Sequence, residues 1–155
     1  MEYHIGDKSY QLEYGDCLLI PPDTPHYPRF HSYDKPYRRF VFWLNQDYHK
    51  KLRQTDEELT YCFDYAQSHQ TYRFHTDTIT TQEIQGKLTD LMEELAGGRS
   101  FHRLVSELMA VSFLVDVSRL LYDSLHQKSA VYENVLRSEE RRVGEEWKSR
   151  GAPDP

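Results

Sequence analysis

The sequence predicts an α+β fold, with a small antiparallel sheet structure over residues 1–79 followed by two packed α-helices over 80–126. Three observations carry this. Up to Leu44 the apolar residues fall in short runs of strand length, separated by turns rich in Gly, Pro and Asp. From Thr80 the apolar period changes from two to 3.6. Between the two helical stretches stands Gly97-Gly98, a pair suited to ending one helix before the next begins.

In order, Met1 to Ile5 and Ser9 to Leu12 read as a hairpin turning at Gly6-Asp7-Lys8. Gly15-Asp16 supplies the next turn, Cys17 to Ile20 the next strand, and Pro21-Pro22-Asp23 ends it, because proline fixes φ and has no N–H for a ladder. His31 to Pro36 is a polar loop. Tyr37 to Leu44 reads as a further strand, with Arg38, Phe40 and Phe42 on one face and Arg39, Val41 and Trp43 on the other. Asp47 is the expected cap of a short helix from Tyr48 to Arg53, residues 54–70 have no period and read as loop, and Thr71 to Phe74 as one more strand.

Thr80 and Glu83 then have capping-box spacing, and Ile84, Leu88, Leu91, Met92 and Leu95 form one stripe. Ser100 is the expected cap of a second helix running to about Leu125. In its LMAVSFLV stretch apolar residues cover nearly the whole circumference, so burial on two sides is expected.

With 155 residues, 38% hydrophobic and 28% charged, the chain has the composition of a globular domain with its own core rather than a disordered one. A formal charge of −6 leaves no basic footprint for a phosphate backbone, which excludes autonomous DNA binding. No apolar run approaches the roughly 20 residues of a membrane span. Cys17 and Cys62 fit neither a metal spacing nor a disulfide framework, and a reduced cytoplasmic setting is expected.

Gly15, Pro21, Asp23 and His26 match the spacing of the second cupin motif, with Asp23 where that motif usually has Gly. The phrase GDCLLIPPDTPHYP followed by RRFVFWLNQDY resembles the sensor domain of AraC-type bacterial transcription regulators, over roughly residues 1–136. The resemblance implies a partial cupin-like antiparallel barrel that binds a small-molecule effector, a sugar or related metabolite, and a homodimer formed through the helices. It also implies that DNA is contacted only through a separate helix-turn-helix part, whose linker would start at 127–136. Because family members carry further strands before this hairpin, Met1 is expected to be an internal methionine of a longer protein. From Arg137 the chain reads RSEERRVGEEWKSRGAPDP, which resembles the translation of a sequencing-library adapter, and 137–155 are set aside on that ground.

The candidate ligand-binding residues are His26, Pro28, Arg38, Phe40 and Phe42, since a polar effector needs a charged group for its hydroxyls and an aromatic face for its C–H side. The opposing reading makes Phe40 and Phe42 plain core, and a one-residue slip would exchange Arg38 for Arg39. His26 occupies the position of a cupin metal ligand, but the other donors of such a site are missing, so no metal and no cofactor are expected. Leu104, Leu108, Val111 and Val115 form the candidate dimerisation seam, the alternative being a stripe packed only within its own chain. No nucleophile elbow or phosphate loop is present and no catalytic residue is assigned. The competing class is a metal-dependent cupin enzyme acting on a small metabolite.

Overall fold

In the computed structural model the described residues are 1–31 and 37–150, with only the backbone described over 127–150. The fold is α+β, as the sequence predicts. The chain divides into two units, Met1–Arg119 and Leu120–Pro155.

The first unit opens with the expected hairpin. Strands β1 (Glu2–Ile5) and β2 (Lys8–Gln11) pair with Tyr3 opposite Tyr10, and β4 (His26–Arg29) pairs with the other edge of β1, giving the order β2-β1-β4. The alternation along β1 points Tyr3 and Ile5 into the core, at 5% and 0% exposure. A second sheet pairs β3 (Asp16–Leu18) with β5 (Arg73–His75), Cys17 opposite Phe74. The two sheets meet where Tyr72 donates its N–H to the Tyr10 hydroxyl at 3.4 Å and Arg73 donates to the Gln11 carbonyl at 3.0 Å. No ladder joins them among the described residues, so no closed barrel is formed.

Tyr37 to Leu44, expected as a strand, is in neither sheet. Strand propensity measures fit to a pleated neighbour more than an intrinsic backbone preference, and among the described residues no ladder partner lies along this segment. The polar loop expected just before it lies, over 32–36, outside the described residues.

The helices begin and end differently from expectation at several points. Helix α1 spans Gln46–Thr55 and is capped by Asn45, whose side chain accepts the Asp47 N–H at 2.8 Å. Residues 54–70 are largely helical, with a 3-10 turn at Glu57–Thr60 leading into α2 (Tyr61–His69). Cys62 and Ala66, four apart, are fully buried, whereas Phe63 and Tyr65 between them are only half-buried, so no single apolar stripe shows in the sequence. Helix α3 is Thr78–Ala96, capped by Asp77, which accepts from the Thr80 N–H at 2.9 Å; Thr80 is thus inside the helix. Those bonds to the charged form hold the Asp77 carboxyl below its ordinary pKa. Of the expected stripe, Leu88 and Leu91 are buried, while Met92 and Leu95 are exposed.

Helix α4 is His102–Arg150, starting after Ser100 and running past the expected end near Leu125. In the first unit it has neighbours on several elements, but the expected burial on two sides is not found: of the LMAVSFLV stretch Phe113 and Leu114 are buried, while Leu108 and Ser112 are exposed. Glu107 accepts from the Tyr48 hydroxyl of α1, Phe113 packs on Phe42 with ring centroids 5.1 Å apart, and Asp116 pairs with Lys87 of α3. Glu94 and Arg99, 3.0 Å apart, tie the turn between α3 and α4. In the second unit the Tyr122 and His126 rings stack at 3.8 Å, and His126 Nδ1 donates to the Tyr122 carbonyl. Side chains of the expected linker (127–136) and of 137–150, and all of 151–155, lie outside the described residues. No described helix is long and apolar enough to cross a membrane.

Two positions on the Gly15 to His26 motif differ in what they tolerate. Gly15 has φ +92°, and a Cβ there would stand 2.4 Å from the Thr76 carbonyl oxygen. Asp23, where the motif usually has Gly, also lies in the left-handed region, at φ 59°. Gly15→Ala is expected to cost about 2 kcal/mol or more in urea unfolding, and Asp23→Gly to be neutral or stabilising by up to about 1 kcal/mol. A neutral Gly15→Ala would show that this approach is not a structural constraint.

Candidate functional site

The candidate site lies along the β1 face that buries Tyr3 and Ile5. Register places Ile5 opposite His26 and Tyr3 opposite Pro28, and directly paired residues share a face. Here His26 and Pro28 sit together, with the His26 ring stacked on Tyr3 at 6.3 Å between centroids. His26 Nδ1 lies 2.8 Å from the Thr24 carbonyl oxygen. A carbonyl oxygen only accepts, so Nδ1 carries the proton and Nε2 is left for other partners.

Across from them comes Arg39, not Arg38. Its guanidinium donates to the Tyr3 hydroxyl at 3.3 Å and lies 5.9 Å from the ring centroids of both Tyr3 and Tyr37. Tyr37 in turn meets Phe30 edge-on at 5.8 Å. The arginine is therefore held by a hydroxyl and two aromatic faces, a setting in which cation–π attraction contributes on the order of 0.5–1 kcal/mol at exposed sites.

The other expected pocket residues are elsewhere. Arg38 and Phe40 are exposed, and Phe42, half-buried, turns to Phe113 of α4. The single face expected to hold Arg38, Phe40 and Phe42 requires a paired strand, and that strand is not formed. Tyr3, Tyr37 and Arg39 were missed as site residues. The one signal for Arg39 was the alternative register.

Two further polar clusters flank this face. On the opposite side of β1, Glu2 lies 3.5 Å from His4 and 3.6 Å from His31, while Ser9 holds the other His4 nitrogen at 2.8 Å. In the second sheet the nearly buried Asp16 carboxylate receives His75 Nδ1 at 3.0 Å, the Glu13 N–H at 2.9 Å and Arg73 at 3.7 Å. Among the described residues no three His, Cys, Asp or Glu side chains are grouped so as to hold a metal ion.

Along α4, Leu104 and Leu108 are 57% and 61% exposed, and Val111 and Val115 are half-buried. The N-terminal half of the candidate seam is thus open to a partner and its C-terminal half partly covered by the chain itself. Both cysteines are free thiols. Burial pushes Cys62 up to about 11, opposed by a smaller pull from the Ser118 hydroxyl, and burial also raises half-buried Cys17.

Two outcomes are expected from these placements. Phe42→Ala should cost about 1–2 kcal/mol, less than a fully buried ring, while Trp43→Ala, at 84% exposure, should stay within about 0.5 kcal/mol in thermal or urea unfolding. Equal costs would mean that Phe42 is not the docking point of this segment. With Ellman's reagent at pH 8 one thiol, Cys17, should react, and Cys62 only on denaturation. Because its folded pKa is raised, Cys62 supports the fold most fully below its unfolded value, and that contribution declines as pH climbs toward 11.

Comparison with protein-family models, with curated proteins and with solved structures finds no match to the chain.

Proposed function

We propose that this chain is the effector-sensing and dimerisation domain of an AraC-type transcription regulator, non-enzymatic and cytoplasmic, with DNA contacted through a separate part of the intact protein. The observation that carries this reading is the bridge made by Tyr37 to Leu44. Within four residues, Arg39 touches Tyr3 on the recognition face and Phe42 touches Phe113 on the helix that carries the apolar stripe. A ligand bound against His26 and Arg39, both exposed, acts on a segment that also seats α4, so it can favour one placement of that helix over another. This is the differential interaction that a ligand-driven population shift requires.

The partial cupin-like barrel belongs to the same proposal. Its support is the motif from Gly15 to His26 and two small antiparallel sheets meeting edge to edge at Tyr10 and Tyr72. The dimer is supported by the exposure of Leu104 and Leu108. The Lys87–Asp116 pair and the turn at 97–101 run α3 antiparallel to α4, which brings exposed Met92 and Leu95 toward the same end. Solitary exposed leucines are ordinary, whereas these four large exposed apolar residues near the α3–α4 turn support an association surface.

Sedimentation of the full chain should report a dimer that Leu108→Asp converts largely to monomer with unchanged helical content. A wild-type monomer would remove the seam. On duplex DNA the chain should show no salt-sensitive retention, given its charge of −6. Tight binding would overturn the division of labour proposed here.

A further inference from the structure

Resting on the sensor reading, we infer that the effector is a small carboxylate carrying a flat apolar group, bound by Arg39, rather than a neutral sugar. Arg39 is held in place on this face. It is fixed by the Tyr3 hydroxyl at 3.3 Å and by the faces of Tyr3 and Tyr37, yet among the described residues it forms no ion pair. Glu2, the acidic neighbour of Tyr3, lies on the other face of β1 and is occupied with His4 and His31.

A guanidinium presents five N–H donors in a planar fork, and the Tyr3 hydroxyl takes one, so a paired donor edge remains that matches both oxygens of a carboxylate. The flanking surface is aromatic, made by the exposed Tyr37 and His26 rings, the latter stacked at 6.3 Å on Tyr3, which is buried beneath. Such faces favour a planar apolar body in offset or edge contact. His26, with Nδ1 committed to Thr24, offers Nε2 as the remaining polar contact on this face. A neutral polyol would leave the charge of Arg39 unused. The anion uses it together with the rings.

Isothermal titration calorimetry of the full chain with benzoate, benzamide and ribose, at fixed ionic strength in chloride, tests this. Saturable one-to-one binding of benzoate is expected, at least about tenfold tighter than benzamide, with a loss of about tenfold or more in Arg39→Gln and little change in Arg38→Gln. Both arginines are exposed, and the variants should still melt cooperatively, Arg38→Gln like the wild type and Arg39→Gln lower by no more than a few degrees. Benzamide binding as tightly as benzoate, or Arg39→Gln leaving benzoate unaffected, overturns the inference. Ribose binding that Arg39→Gln weakens, with none for benzoate, also overturns it while leaving the sensor reading in place. If none of the three binds and the wild-type chain is monomeric, the inference and the sensor reading fail together.

Discussion

The contact on which the first unit depends is the meeting of Gly15 with Thr76. The Gly15 carbonyl oxygen accepts both the Thr76 N–H at 2.9 Å and the Thr76 hydroxyl at 3.0 Å, and the same hydroxyl meets Thr81 at 2.9 Å. This approach is possible because residue 15 has no side chain to hold the strands apart. It sets the register of β3 on β5, closes the excursion through α1 and α2, and launches α3 from Asp77 one residue later. A hydrogen bond contributes only about 1 kcal/mol net, but here several converge on a backbone position that admits one residue type. Its importance is geometric before it is energetic.

From that junction the helices organise around α4. Glu107, Phe113 and Asp116 belong to one helix and engage α1, the Tyr37 to Leu44 segment and α3 in turn. Of the LMAVSFLV stretch only Phe113 and Leu114 are buried by these neighbours, while its first residue, Leu108, stays exposed, as does Leu104 one turn earlier. Apolar character therefore remains uncovered toward the N-terminal end of the helix.

The candidate site follows from the hairpin. Tyr3 is buried by alternation along β1, and the register with β4 fixes His26 and Pro28 beside it. Arg39 reaches this face from a segment that crosses without joining a ladder. Arg39 turns to the sheet while Phe42, three positions on, turns to the helix, the opposite sides that alternation would also give them. One short piece of chain thus serves two surfaces.

By itself the sequence determined the α+β class, the first hairpin and the two long helices, because each rests on local chemistry: turn residues that fix φ and a period that persists. Only the tertiary structure decided the rest. Asn45 and Asp77 cap their helices where Asp47 and Thr80 were expected, since cap choice depends on where packing starts the helix. α2 was illegible because burial at Cys62 and Ala66 needs no long apolar stripe when small side chains fit close. Tyr37 to Leu44 has every local mark of a strand, yet a ladder needs a neighbour, and a neighbour is a property of the fold and not of the segment.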